Sequence, residues 1–220
     1  MMRPVVTLAY AQTLDGRIAA ADGTSRWISG PESLVRTHLL RSQHDAIMVG
    51  IGTVLADNPS LTVRHVHGPN PLRIVLDRNL RTPLSAAVLV DGAAPHTWLV
   101  CDAQAAPARR HALQDLGATI ITQPLTTESA FAMQPLLHTL ASRGIRTLML
   151  EGGSRLIASM LRARCVDRVA ITIAPKLLGQ GIPAIADLGI TTMGNALCLH
   201  EPRVSQCGDD IWLEATVRYA

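Results

Sequence analysis

The chain has 220 residues, of which 48% are hydrophobic, 17% are charged and 3% are aromatic, and its formal net charge is +3. This composition excludes a disordered chain and supplies enough apolar residues for the core of a single domain over 1–220. The small net charge and the few aromatic side chains argue against a nucleic-acid-binding protein. No apolar run approaches the roughly 20 residues that span a bilayer, and polar residues interrupt the N-terminal run early. We therefore expect a cytoplasmic protein that contacts no membrane.

Strands and helices alternate along most of the chain. The pattern predicts strands over 5–11, 47–49, 73–76, 97–101, 119–122 and 147–150, and helices over 31–43, 107–116, 129–143 and 154–164. Ser29 or Gly30 is the expected N-cap of the first helix. Three further strands, over 167–174, 196–206 and 210–218, follow without helices between them. The alternation favours a largely parallel α/β sheet with helices on both faces, and the tail favours antiparallel edge strands.

A glycine-containing turn follows the second strand, within DAIMVGIGTVLADNPSLTVR over 45–64. Gly50 and Gly52 would let a phosphate or a nicotinamide ring approach the backbone, and Thr53 adds a hydroxyl. Leu55 occupies the position of the third glycine in a dinucleotide-binding fingerprint, so a nucleotide would need another kind of loop. The alternative is an ordinary crossover between two strands that binds nothing.

A second glycine turn, Glu151-Gly152-Gly153-Ser154, lies between a predicted strand and a predicted helix. The unpaired N–H groups and the dipole of that helix suit a pyrophosphate. Glu151 can meet a sugar hydroxyl or take part in proton transfer, or it can be an ordinary solvent-facing carboxylate.

Several further residues are candidates for ligand contacts. Ser25 and Trp27 lie in a loop that can close over a ligand, although Trp27 can equally pack in the core. Arg41 and Arg64 can bind a phosphate through their planar guanidinium groups, or can be solvated. Arg78 can reach an adenosine 2′-phosphate. The four cysteines have no metal-ligand spacing, so no metal site is expected.

The motifs TLDGRIA, SRWIS, DAIMVGIGTVLADNPSLTVR, PLRIVLD, LEGGSRLI and VDRVAITIAPKLLG together resemble the reductase family of riboflavin biosynthesis. This family forms the C-terminal half of bifunctional deaminase-reductases and also occurs alone. The resemblance implies a three-layer α/β/α, dihydrofolate-reductase-like fold, NADPH as hydride donor, a ribosylaminopyrimidine 5′-phosphate as substrate and a homodimer. Because the zinc signature of the deaminase half is missing, we expect a stand-alone reductase.

The resemblance also implies roles for individual residues. Its cofactor contacts fall on Ala11, Trp27, Thr53, Asp57 and the turn over 153–159, which includes Gly153, Ser154, Arg155, Leu156 and Ile157. Its substrate contacts fall on Ser25, Arg41, Leu61, Arg64 and Glu151, and its catalytic residues are Asp57 and Glu151. One position departs from the family, because Ala9 stands where relatives carry a lysine or an asparagine.

The reaction that the resemblance implies is hydride transfer from NADPH to C1′ of the ribose, which yields a ribitylamino phosphate. One alternative is a reductase of the same fold that acts on a pterin or another pyrimidine. Another is a nucleotide-binding module without catalysis. Loss of Asp57, Arg64 or Glu151 would favour that module, but all three are present.

Overall fold

A nine-stranded sheet forms the centre of the computed structural model, which describes residues 3–126 and 130–219. Its strand order is β10-β11-β8-β1-β7-β3-β4-β5-β6. The strands are β1 (Val5–Thr13), β3 (Ala46–Gly50), β4 (Leu72–Leu76), β5 (Thr97–Cys101), β6 (Thr119–Thr122), β7 (Thr147–Glu151), β8 (Arg168–Ala174), β10 (Cys198–Cys207) and β11 (Asp210–Arg218). A small second sheet pairs β2 (Arg17–Ala19) with β9 (Ile182–Pro183).

The sheet is parallel from β8 to β6 and antiparallel at its other end. Strand β1 pairs in parallel with both β7 and β8, so the first strand of the chain lies in the interior of the sheet. Strand β11 runs antiparallel to β8, and β10 runs antiparallel to β11 at the edge. The predicted mostly parallel sheet with antiparallel C-terminal edge strands is therefore confirmed.

Helices cover both faces of this sheet. They are α1 (Pro31–Ser42), α2 (Ile51–Asp57), α3 (Pro107–Asp115), α4 (Met133–Ser142) and α5 (Ser154–Arg162). Apolar side chains of α4 and α5 pack with Leu8 and Leu150 on one face, whereas α2 and α3 pack with Ala9 and Met149 on the other. Alternate residues of one strand thus face opposite layers, which produces the expected α/β/α arrangement.

Helix α1 begins with a cap that comes from the far end of the chain. Its N-cap is Gly30, and Pro31 occupies the first turn. The Asp210 carboxylate accepts hydrogen bonds from the Gly30 N–H at 2.8 Å and from the Ser33 hydroxyl at 2.7 Å. Of the two expected caps, Gly30 has the position, but the capping oxygen belongs to the start of β11.

Most predicted boundaries shift by one or two residues, and two elements differ more. The turn expected after Gly50 is the start of the short helix α2, whose C-cap, Asn58, has a left-handed backbone (φ 42°). Glycine and β-branched residues disfavour this helix, so burial of Val54 in the core must compensate. Helix α4 begins at Met133 because Phe131 forms an extended bridge with Leu125. The predicted start of that helix at Ser129 lies outside the described residues.

Candidate active site

The candidate site lies where β1, β3 and β7 end. Because these strands are parallel neighbours, Thr13, Gly50 and Glu151 reach the same edge of the sheet. Helix α2 starts directly after β3, and helix α5 starts three residues after Glu151. The two glycine motifs that are far apart in the sequence therefore meet in space.

The second glycine turn faces a hydroxyl of the first motif. Gly152 (φ 85°) and Gly153 (φ 84°) are both left-handed, a conformation that residues with a Cβ rarely adopt. A Cβ at Gly152 would lie 3.6 Å from Thr53 Oγ1, and a Cβ at Gly153 would lie 3.5 Å from the same atom. The two glycines thus lie against Thr53 beside the N-terminus of α5, and both are half-buried.

The N-terminus of helix α5 lies beside these two glycines. Gly153 is its N-cap, and no side chain of the described residues forms a capping hydrogen bond there. The side chains of Leu156 and Ile157 are buried in the core, so these residues can contact a ligand only through the backbone. The Ile157 N–H already donates to Gly153 O at 3.0 Å, whereas the side chain of Arg155 is exposed.

Arg41 and Glu151 form a bidentate ion pair. Arg41 Nε donates to Glu151 Oε2 at 2.9 Å, and Nη2 donates to Oε1. Arg41 Nη1 also donates to the Thr62 carbonyl at 3.0 Å, and the arginine is only 8% exposed. Burial alone would lower the pKa of Arg41, but the adjacent carboxylate outweighs burial and raises it. Arg41 is thus neither solvated nor independent of Glu151.

A buried histidine that sequence reasoning did not select lies beside this pair. His38 Nδ1 accepts a hydrogen bond from the Arg64 backbone N–H at 2.8 Å, and its Nε2 lies 3.4 Å from Arg41 Nη1. Burial, followed by the charges of Arg41 and Arg64, lowers the pKa of His38 to about 4. The i, i+3 spacing of His38 and Arg41 on α1 was the available signal, because it places both side chains on one face.

The segment that follows α2 carries two further predicted residues. The side chain of Arg64 is exposed, and its Nη1 donates to Thr62 Oγ1 at 2.7 Å. Leu61 is buried with a left-handed backbone (φ 55°), so its backbone is the part that can meet a ligand. Asp57, the last residue of α2, is exposed and accepts a hydrogen bond from Ser25 Oγ at 3.1 Å.

Trp27 does not pack in the core. Its side chain is 79% exposed and its backbone is left-handed (φ 67°). Lys176 Nζ donates to the carbonyls of Trp27 and Ile28, the latter at 3.0 Å. Lys176, which follows β8, thus ties the backbone at Trp27 and Ile28 to the segment after that strand. The sequence does not reveal this contact.

Strand register places Ala9, the residue that differs from the family pattern, beside the Arg41–Glu151 ion pair. Ala9 on β1 is paired with Glu151 on β7, and Ala9 is buried. Ala11 lies two residues further along β1, opposite Thr172, and is half-buried. Arg78 follows β4 at the same edge of the sheet, and its Nε lies 3.7 Å from Asp102 Oδ2.

Two further properties concern only residues 3–126 and 130–219. Within these ranges, no helix is long and apolar enough to cross a membrane. The same ranges contain no group of three or more His, Cys, Asp or Glu side chains placed to hold a metal ion.

Sequence comparison relates the chain to enzymes named for riboflavin biosynthesis. It is 42% identical over 222 residues to the 2,5-diamino-6-ribosylamino-4(3H)-pyrimidinone 5′-phosphate reductase of Methanothermobacter thermautotrophicus, covering 99% of this chain and 100% of that protein. It is 38% identical over 210 residues to the riboflavin biosynthesis protein RibD of Aquifex aeolicus, covering 95% of this chain and 56% of that protein. The chain therefore spans little more than half the length of the RibD protein that it matches.

Solved structures agree with the sequence comparison. RibD of Acinetobacter baumannii superimposes with a TM-score of 0.84 at 30% identity, over 98% of this chain and 58% of that one. The riboflavin biosynthesis reductase Rib7 of Saccharomyces cerevisiae gives a TM-score of 0.78 at 26% identity, over 99% and 91% of the two chains. These matches confirm the expected fold. The family model of the RibD C-terminal domain covers residues 4–213, and the chain belongs to this family.

Proposed function

We propose that this protein reduces the ribosyl group of a ribosylaminopyrimidine 5′-phosphate to the ribitylamino phosphate, with NADPH as the hydride donor. The reductases of riboflavin biosynthesis among its relatives support the reaction class. The observation that carries the proposal is that the Arg41–Glu151 pair adjoins the glycine turn at one edge of the sheet. A polar group for the sugar and an open backbone for a pyrophosphate are thereby adjacent.

The open backbone around Gly152 and Gly153 fits a dinucleotide. Two glycines without Cβ atoms and the start of α5 can receive the pyrophosphate, and Thr53 can donate its hydroxyl. Arg78 is the proposed contact of the 2′-phosphate. The exposed Trp27 and Asp57, with the backbone of Ala11, would border the nicotinamide side. When bound, NADPH supplies the hydride.

The remaining side chains would bind and orient the sugar phosphate. Arg64 has an exposed guanidinium group that can form paired hydrogen bonds to a phosphate. Arg41 fixes the orientation of Glu151, so that this carboxylate can accept hydrogen bonds from ribose hydroxyls. Ser25 and the backbone of Leu61 would complete the substrate contacts, while Asp57 and Glu151 are the proposed catalytic residues.

We also propose a single reductase domain over 1–220 that forms a homodimer in the cytoplasm. Support for the dimer comes from β10, a strand at the edge of the sheet whose residues are almost all exposed. An exposed edge strand offers unpaired backbone groups to a second chain. The apolar side chains of Leu199, Val204 and Ile211 are also exposed on this hairpin.

An enzymatic assay tests the reaction. The purified protein is mixed with NADPH or NADH and either the diaminopyrimidine substrate or its deaminated form, and oxidation is followed by absorbance of the reduced nicotinamide. We expect oxidation only when one of the two phosphorylated substrates is present, and a preference for NADPH. Equal rates with both cofactors would contradict the proposed 2′-phosphate contact, and no oxidation with either substrate would contradict the proposed reaction.

Ala9 favours one alternative within the same fold. Ala9 is buried beside Glu151 and supplies no polar group where relatives carry a lysine or an asparagine, and a different substrate would not need that group. The second candidate is therefore reduction of a pterin or another pyrimidine. Oxidation of NADPH with a dihydropterin but with neither ribosylaminopyrimidine would select it.

A further inference from the structure

His38 belongs to a layer of side chains that lies behind the proposed substrate site. It is 2% exposed, on the face of α1 that also carries Arg41. Its ring contacts His65 edge-on, with 4.5 Å between the ring centroids. His38 has no part in the roles proposed for Arg41, Arg64 and Glu151. Because it is buried, it cannot contact a substrate directly.

The hydrogen bond to Arg64 defines the state of the imidazole. A backbone N–H can only donate, so His38 Nδ1 must be unprotonated to accept it at 2.8 Å. Protonation of the ring would place a third positive charge beside the guanidinium groups of Arg41 and Arg64. A neutral ring with its proton on Nε2 is therefore the form that accepts from Arg64, and its 3.4 Å contact with Arg41 Nη1 then joins two donors and is not a hydrogen bond.

Two α1 side chains hold the irregular segment that follows Leu61. His38 accepts from the Arg64 N–H, and Arg41 donates to the Thr62 carbonyl at 3.0 Å. The Val63 N–H between them donates to Asn70 Oδ1 at 2.7 Å. Side-chain contacts from α1 thus substitute for the strand or helix hydrogen bonds that this segment lacks.

We propose that His38 is a positioning residue for the phosphate end of the substrate, acting through the backbone of Arg64. This inference rests on the proposed function, because it assumes that Arg64 binds the substrate phosphate. The geometry supports it, since one helix face fixes both Glu151, through Arg41, and Arg64, through His38. The distance between the sugar-binding carboxylate and the phosphate-binding guanidinium group is thereby held within a narrow range.

Two substitutions at position 38 separate positioning from packing. His38→Leu keeps an apolar side chain of similar size but removes the acceptor, whereas His38→Gln keeps an amide oxygen that can accept from Arg64. His44→Leu is the matched control, because His44 is a half-buried histidine just after α1 that contacts Leu40 O and Thr7 Oγ1 and not the 61–64 segment.

Steady-state kinetics with the phosphorylated substrate provide the first measurement. We expect His38→Leu to raise KM about 10-fold or more with a smaller change in kcat and an unchanged Kd for NADPH. His38→Gln should restore most of the loss, and His44→Leu should leave KM unchanged at a comparable melting temperature. A wild-type KM in His38→Leu, or an equal rise in His44→Leu or His38→Gln, would overturn the proposal.

Amide hydrogen exchange provides a measurement that does not depend on turnover. The Arg64 N–H should lose protection in His38→Leu, retain it in His38→Gln and retain it in His44→Leu. If the wild-type protein reduces neither ribosylaminopyrimidine, the proposed function fails. Normal turnover together with full Arg64 protection in His38→Leu would instead refute the role of His38 alone.

Discussion

Arg64 is the residue whose proposed role is most directly testable. We expect Arg64→Ala to weaken substrate binding by roughly 1.5–3 kcal/mol, because a charge-assisted contact to a phosphate is lost. Arg64→Lys should recover only part of the lost binding free energy, since an ammonium group cannot form the paired hydrogen bonds of a guanidinium group. The measurement is KM for the phosphorylated substrate beside the Kd of NADPH, which should barely change.

Arg218 offers a matched control for that experiment. It is an exposed arginine at the end of β11, and Arg218→Ala removes the same charge from the surface at the opposite edge of the sheet. If Arg64→Ala behaves like Arg218→Ala, or if it weakens NADPH binding first, Arg64 does not bind the substrate phosphate.

His38 should make stability depend on pH. Its pKa is about 4 in the folded protein, against an ordinary value of 6.5, because of burial and the nearby charges of Arg41 and Arg64. Between these two values the unfolded chain binds a proton that the folded protein does not, so stability falls as pH falls from about 6.5 to about 4. We expect a loss of about 3 kcal/mol from this group across that window.

His38→Gln removes the titrating group and keeps the hydrogen-bond acceptor, so it isolates this contribution. Urea unfolding of both proteins at several pH values should show the wild type losing stability relative to the variant as pH falls. Parallel curves would contradict the assignment, because His44, whose pKa burial also lowers, is present in both proteins.

At the scale of single residues, the sequence selected candidate residues that lie together in the structure, but it did not reveal their contacts. Arg41 and Glu151 were each selected for local reasons, and their pairing across 110 positions arises only in the folded chain. His38 was missed because its i, i+3 spacing to Arg41 predicts only a shared helix face, and its hydrogen bond to the Arg64 N–H forms only in the folded chain. Lys176 was missed because its partners are backbone carbonyls, which any residue provides.

At the scale of elements, the glycine turn before α5 is the feature to test. We expect Gly153→Val to lower NADPH affinity at least about 10-fold, because its side chain would crowd Thr53 and Leu156 beside the helix N-terminus, where the pyrophosphate is proposed to bind. The left-handed backbone also strains any residue with a Cβ, at a cost of about 1–2 kcal/mol. Titration calorimetry measures the affinity, and the melting temperature reports the strain.

Gly144 provides the control for backbone strain. It has a comparable left-handed backbone (φ 96°) and follows α4, away from the site, and no other described residue has an atom within 4 Å of the point where a Cβ would lie. Gly144→Val should therefore lower the melting temperature while NADPH affinity stays unchanged. Equal affinity in the two variants would show that the turn at Gly153 is only structural.

Elements were predictable where local pattern and tertiary packing agree. The buried strands were predicted because continuous β-branched runs are typical of strands that are buried on both faces of a sheet. Helix α2 was missed because Gly52, Thr53 and Val54 disfavour a helix, and only contacts with the rest of the core form it. The cap of α1 was predicted from Ser29 and Gly30 alone, because the carboxylate that accepts from Gly30 belongs to Asp210, which lies 180 positions away.

At the scale of the whole molecule, we expect the protein to self-associate through the exposed edge strand β10. Val204 is 67% exposed on this strand, so Val204→Glu should weaken a homodimer without disturbing the core of the subunit. Sedimentation velocity over a range of concentrations should show a dimer for the wild type and a monomer for the variant. A wild-type protein that stays monomeric at every concentration, or a variant that stays dimeric, would rule out this surface.

The interior position of β1 has a consequence for biosynthesis. This strand leaves the ribosome before its partners β7 and β8, which begin at Thr147 and Arg168. Until those residues emerge, the apolar side chains of β1 have no sheet to join, and non-local pairing of this kind is slow. The edge where Glu151 and the glycine turn meet β1 thus forms only after most of the chain has been synthesised, so an early translational stop leaves a fragment with an uncovered strand and no site.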